Sequence, residues 1–344
     1  MLYVSTRNNA DTYTAQRVLR DGRAGDGGLF APFRLPRFSR EEILALADKS
    51  FNACVAEGLN LLFNTQLTGY DIDLSLGRLP VRLLHLNQRI VIAQCWHNLH
   101  WQFSRMAQCL TELVRREQDC IALEGSWEEV GVRIAVLVGI FGELIRCGTA
   151  APDKCVDIAL VSGDFSGAMA AWYGREMGLP IGNIVCCCNA NGNLWNFICH
   201  GQLRTDGVAV ATCVPEGDVT VPAGLERLIH ARGGAEEVCR FADCLHSGKT
   251  YYAEDRFLQN LRQGIYVTVS SERRVLETIP TAYATHGCLL SAASALAYAG
   301  LQDYRARTGA SRTALVMTEK SPRQDKSLVA CAMGVDETEL DRIL

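Results

Sequence analysis

Between residues 156 and 188 the chain reads VDIALVSGDFSGAMAAWYGREMGLPIGNIVCCC. An apolar run, VDIALVS, ends in a glycine-bearing turn, SGDFSG (162–167). A helix-compatible run, AMAAWYGREM, follows; Gly178 closes it and Pro180 stops it. NIVCCC then supplies a second apolar run. Strand, turn, helix and strand in this order form the unit of a parallel sheet, because the crossover helix packs back onto the strands it joins. The spacing therefore predicts an α/β fold, a parallel sheet covered by helices.

The rest of the chain is read around this unit. Residues 1–36 are rich in Gly, Arg and Pro and predict an irregular leader. Ser39-Arg40-Glu41-Glu42 is a capping box, opening a helix that should run to Glu57. YDIDLSLGRLPVRLLHLNQRIVIAQC reads as loop and then strands. HWQFSRMAQCLTELVRRE places Trp101, Met106, Leu110 and Leu113 on one helical face, and DCIALEG reads as a short strand. The last third should be mostly helical, over 223–233, 236–246, 254–263, 271–285 and 291–307, interrupted by one strand at 313–318.

Composition narrows the possible roles. With 48% hydrophobic and 21% charged residues in 344, a sizeable core is available. A net charge of -4 leaves no electrostatic footprint for nucleic acid. No long apolar core follows the first basic residue and no run is long enough to span a bilayer. The 15 cysteines are then expected as free thiols in a reducing cytoplasm. Only Lys49, Lys154, Lys249, Lys320 and Lys326 are lysines.

Several clusters invite chemistry. SGDFSG could hold a phosphate on the backbone N–H groups of a helix N-terminus, but a structural turn is the commoner use, and the Asp164 carboxylate would repel an anion. Cys186, Cys187 and Cys188 cannot converge on a metal, because alternate strand residues face opposite ways. Cys239, Cys244 and His246, and likewise Cys95, His97 and His100, lack a second ligand pair at a distance. No metal site is expected.

Several stretches taken in order resemble threonine synthase. LYVSTRN with DGRAGDGGLFAP resembles the family's opening, through Tyr3, Ser5, Thr6, Arg7 and Asp26 to Leu29. LVSGDFSGAMAAWYGREMGLPIGNIVCCCNANG resembles its phosphate loop, helix and next strand; AGLERLIHARGG resembles a family helix through Glu226, Arg227 and Leu228; and TALVMTEKSP resembles its last strand and serine-proline turn. The resemblance implies the large domain of fold type II pyridoxal phosphate enzymes, with a reduced second domain. It also implies conversion of O-phosphohomoserine and water into threonine and phosphate, with a lysine holding the cofactor as an imine. On this resemblance residues 1–90 pack on the core, 91–150 are the remnant of a smaller cofactor and substrate domain, and 151–344 form the main domain. Ser162, Gly163, Asp164, Phe165, Ser166 and Thr318 fall at cofactor-binding positions.

The departures fall on the chemistry. The family's lysine motif lies on His97 to Arg105; His97 and Phe103 match, but Ser104 stands at the lysine and Arg105 at the following aspartate. The loop's asparagine is Asp164 and its next glycine is Ser166. An aspartate-proline-histidine-threonine run becomes Ser291-Ala292-Ala293-Ser294, and alanine-lysine-phenylalanine becomes Arg323-Gln324-Asp325. From LVRREQ the chain passes straight to DCIALEGSWEEV, omitting the family's substrate loop. The leading expectation is a catalytically inactive relative that binds pyridoxal phosphate weakly or not at all and acts on a partner, either a second copy or an active synthase. The alternatives are an active pyridoxal-phosphate-dependent synthase, an enzyme of altered chemistry using His97, His100 and Ser104, and a metal or redox protein.

Overall fold

The structure, a computed structural model, describes residues 1–78, 81–96, 103–117 and 126–344. The first 36 residues are not an irregular leader. Strand β1 (Leu2–Ser5) pairs antiparallel with β2 (Tyr13–Thr14) on one side and β3 (Phe30–Pro32) on the other, and helix α1 (Ala15–Asp21) lies between them in sequence. Strands of two to four residues are too short to show a periodicity.

The helix expected from Ser39 is two helices. Ser39 and Glu42 form the capping box of α2 (Arg40–Ala45), and a 3-10 turn follows at Leu46–Asp48. Ser50 then accepts from the Ala53 N–H and starts α3 (Phe51–Phe63). A second cap inside the expected helix makes the break. Where a loop was expected, a Thr68–Asp71 capping box opens α4 (Gly69–Leu76). Strands β4 (Arg82–Asn87) and β5 (Ile90–Gln94) form a hairpin, followed by α5 (Phe103–Glu117) and α6 (Trp127–Arg146). Met106, Leu110 and Leu113 are buried on α5 as their spacing predicts. Trp101 and the strand expected at DCIALEG lie outside the described residues.

The strand–helix–strand unit is β6 (Val156–Val161), α7 (Ser166–Glu176) and β7 (Ile181–Cys188). After it come α8 (Asn193–His200) and β8 (Gln202–Leu203). The helices expected at 223–233 and 236–246 run on as α9 (Leu225–Ser247), bent at Gly234, whose φ of 79° breaks the helical path. Then follow β9 (Tyr251–Tyr252), α10 (Asp255–Leu261), β10 (Ile265–Val269), α11 (Glu272–His286), α12 (Ala292–Thr308), β11 (Ala314–Thr318), α13 (Lys326–Met333) and α14 (Glu337–Ile343). Strand β10 corrects the reading of this third as helical with one strand. Its five residues pair with β7, and so short a run between two helices is settled by the sheet rather than by local pattern.

The central sheet has the order β10-β7-β6-β11-β5-β4. All its pairings are parallel except β4 on β5. Strand β11 enters between β6 and β5, with Val316 opposite Ala159 on one side and Ile92 on the other. One face packs against α6 and α7, the other against α11, α12 and α13. The three cysteines of β7 divide as expected: Cys186 and Cys188 face the first layer and Cys187 the second. Residues 91–150 supply β5 to this sheet and α6 to its cover. Among the described residues no helix is long and apolar enough to cross a membrane.

Helices α3 and α6 meet through small residues. A Cβ on Gly58 would lie 2.8 Å from the Cα of Ala135, Gly131 faces the Phe63 ring, and Gly139 faces Phe51. Because the obstacle at Gly58 is backbone, overpacking outweighs the helix propensity that alanine gains. Gly58→Ala should lower the unfolding free energy by about 1–3 kcal/mol, read from the urea midpoint.

Candidate functional site

In open parallel sheets ligands sit beyond the carboxyl ends of the strands, where the strand order reverses. Here that place lies between β6 and β11. Phe103, at the start of α5, donates its N–H to the Glu319 carbonyl at 3.0 Å, so Phe103 and Ser104 reach this end of the sheet. Thr318 ends β11 and loop 162–165 follows β6. Phe103, Thr318 and the loop therefore lie at the same end of the sheet, and Ser104 follows Phe103 on α5. His97 and His100 lie outside the described residues.

The loop is tight. Gly163 and Phe165 both take positive φ, 43° and 74°, and the Phe165 N–H donates to the Ser162 carbonyl at 2.9 Å. The Asp164 carboxylate, one residue before the Phe165 N-cap, turns onto the helix start: its Oδ1 accepts from the Ser166 N–H at 3.0 Å and from Ser166 Oγ at 2.7 Å. Ser166 Oγ also lies 3.0 Å from Glu129 Oε1. The Asp164 carbonyl accepts from Gly224 N–H at 2.8 Å, and Ser162 Oγ accepts from the Cys188 thiol at 3.3 Å. The negative charge that the helix N-terminus favours is therefore supplied by the chain's own carboxylate.

Two residues that the sequence reading did not single out fill the crevice. Arg133 of α6 donates from Nη1 to Glu319 Oε1 at 2.5 Å, and its Nε stands 3.6 Å from Glu129 Oε1. Its Cζ sits 4.4 Å from the centre of the Phe103 ring. Burial alone would lower the guanidinium pKa, but Glu319, Asp164 and Glu129 outweigh it and hold the pKa above the usual arginine value. Beneath Phe103, Arg133 and Glu319, between α6, α7 and β6, a small space of about 20 Å³ lined also by Ile158, Leu160, Ala170 and Ala171 has room for on the order of one water. The clue in the sequence was an arginine inside the apolar run GVRIAVLVGIF.

The other positions are also occupied. Thr318 Oγ1 donates to the Ala93 carbonyl at 2.9 Å and accepts from Trp96 Nε1 at 3.1 Å. Lys320 Nζ pairs with Asp325 at 2.5 Å and Glu216 at 3.1 Å. Burial pulls its pKa down, but these two carboxylates more than reverse that and keep it above the usual lysine value. Ser291 caps α12 and bonds Ser294 Oγ at 2.8 Å, so the Ser-Ala-Ala-Ser run serves as a helix start. Among the described residues no group of three or more His, Cys, Asp and Glu could hold a metal ion, and His246 Nδ1 lies 2.8 Å from the carbonyl of Ala242.

Comparison with known proteins bears on this geometry. Residues 2–75 match the family model "Threonine synthase N terminus". The PLP-bound threonine synthase from Brucella melitensis superposes with a TM-score of 0.85 over 97% of this chain and 92% of that one, at 18% identity. This chain has the threonine synthase fold. Yeast threonine synthase superposes with a TM-score of 0.83 over 99% of this chain and 93% of its own, at 14% identity. In sequence, threonine synthase from Pseudomonas aeruginosa is 23% identical over 403 aligned positions, covering 89% of this chain and 85% of the relative. That alignment is longer than the 344 residues of this chain, so the relative carries insertions with respect to it. Human threonine synthase-like 1 is 27% identical over 176 residues, half of this chain and 24% of that protein.

The buried thiols of this end of the sheet give a pH signature. Burial pushes Cys187 up to about 12 and Cys188 to about 11. A thiol whose folded pKa is raised adds stability that is complete below its unfolded pKa and is lost as pH rises through the folded value. The unfolding free energy should therefore fall from about pH 9 upward, and native Cys186, Cys187 and Cys188 should resist a thiol reagent that labels exposed Cys147, Cys239 and Cys331. Peptide mapping after brief labelling checks the second point.

Proposed function

We propose that this is a threonine synthase-like protein that no longer performs imine chemistry and acts instead by contact with another protein. The observation that carries the reading is Ser104, which stands where the family's lysine motif has its amine, on a helix whose first residue, Phe103, lies against the Arg133–Glu319 ion pair. On this reading the residues present do not fit pyridoxal phosphate. Ser104 offers a hydroxyl where an imine needs a primary amine. The loop meets an anion with the Asp164 carboxylate already seated on Ser166 N–H. Lys320, just past β11, is held protonated by Asp325 and Glu216, and a protonated amine is no nucleophile.

The same reading takes residues 91–150 as what remains of a smaller domain, packed with residues 1–90 on a main domain of 151–344. The insertions of the Pseudomonas aeruginosa relative support it. A second copy or an active synthase is the natural partner, because a retained fold offers retained surfaces.

The direct test mixes the purified protein with pyridoxal phosphate, records the absorbance spectrum, reduces with borohydride and maps the peptides. No imine band, no labelled lysine and no phosphate released from O-phosphohomoserine are expected. A single labelled lysine, at any of the five positions, would overturn the reading.

A further inference from the structure

At the opposite end of α7 from the loop lies a cleft of about 950 Å³. It is formed where the N-terminal sheet meets α3 and α7, and Leu2, Phe33, Leu61 and Trp172 give it apolar walls. Much of that apolar surface is wet: Phe33 is 62%, Leu2 47% and Leu61 37% exposed. Large apolar side chains clustered on the rim of one cleft mark an interaction site more than scattered ones do.

The charge of the cleft is unusual for this chain. The segment FRLPRFSR (33–40) carries Arg34, Arg37 and Arg40 and no acid, although the chain as a whole is at -4. Arg34 and Arg37 are exposed, line the cleft, and have no hydrogen bond or ion pair from their guanidinium groups among the described residues. The one acid of the lining, Glu176, is 3.9 Å from Arg175 and so is already partly answered. Trp172 forms the floor, only 8% exposed, with the Arg232 guanidinium 5.6 Å from its ring. Arginine beside aromatic surface is the composition of protein interfaces.

We infer that this cleft docks an acidic, amphipathic segment of a partner protein, with its apolar side chains between Phe33, Leu61 and Trp172 and its carboxylates on Arg34 and Arg37. Its walls are too exposed to enclose a small molecule, which a pocket normally buries almost completely. Its shape is concave, whereas a protein that lies on a lipid surface presents an apolar face to be buried in it. The inference rests on the reading that the protein works by contact, and it names the surface and the chemistry of the partner.

The test uses the full chain and two fluorescein-labelled synthetic peptides, one alternating leucine and phenylalanine with glutamate, the other with lysine. Anisotropy should show binding of the glutamate peptide only, weakening as salt is raised. The double variant Arg34→Glu, Arg37→Glu and the single variant Phe33→Ser should each weaken it by about tenfold or more, a loss of about 1.4 kcal/mol. Leu74→Ser, at an exposed position of α4, should leave binding unchanged. All these positions are exposed, and unchanged thermal unfolding verifies that the variants fold. Equal binding of both peptides, binding untouched by the variants, or binding of anionic phosphatidylserine vesicles in place of the peptide would overturn the inference. So would a concentration-dependent dimer that the double variant abolishes, which would assign the cleft to a second copy. None of these outcomes depends on the borohydride result, so the two readings fail separately.

Discussion

The architecture depends on one insertion. Strand β11, residues 314 to 318, fills the gap between β5, at 90 to 94, and β6, at 156 to 161. Without it the sheet is two fragments, each with an open edge of unpaired N–H and C=O groups. Ala314, Leu315 and Val316 are apolar and fully buried, as a central parallel strand requires. The same insertion carries Thr318 and Glu319 to the carboxyl ends of β5 and β6, and so builds the crevice as it completes the sheet. Pairings this distant in sequence are slow to form, because chain closure precedes any reward from contact.

The parts of this fold legible in the sequence are those with local causes. The β6–α7–β7 unit, the cap at Ser39, the helices after 223 and the alternation of Cys186, Cys187 and Cys188 each follow from periodicity, capping or turn chemistry over a few residues. What escaped was short or decided elsewhere. Strands β1, β2 and β3 are too brief for a pattern, the second cap at Ser50 lay hidden inside a continuous helical signal, and β10 exists because β7 offers it an edge. For the site, Phe103, Thr318 and loop 162–166 were singled out by resemblance, and all three lie at one end of the sheet. Arg133 and Glu319, which fill it, were not found. They sit 186 residues apart, and nothing local says that they touch.

The end of the sheet beyond β6 and β11 keeps its charges paired within the chain. A helix N-terminus, two loop residues at positive φ and a strand-terminal threonine are all present, the framework on which an anion could be held. Among the described residues Asp164 pairs with Ser166, Thr318 with Ala93 and Trp96, Lys320 with Asp325 and Arg133 with Glu319, while Arg133 Nε makes no hydrogen bond. Partly buried charges are tolerable only when answered in this way. A network of this kind stiffens this end of the sheet.

The N-terminal sheet is fastened to the rest by two neighbouring side chains of α9. Glu226 accepts from Thr6 Oγ1 at 2.5 Å, from Leu29 N–H at 3.2 Å and from Arg7 Nη2 at 3.1 Å, while Arg227 Nε donates to the Phe30 carbonyl at 2.8 Å. Both lie some two hundred residues downstream of what they hold. During synthesis, then, the first strands leave the ribosome long before their anchor exists. Earlier partners cover them in part: the Tyr3 hydroxyl donates to the Leu62 carbonyl, Tyr3 packs edge-on against Trp127, and Phe30 packs against Tyr13. The last clasp on these strands therefore closes late in synthesis, and until it does a growing chain of this design needs shelter from its neighbours.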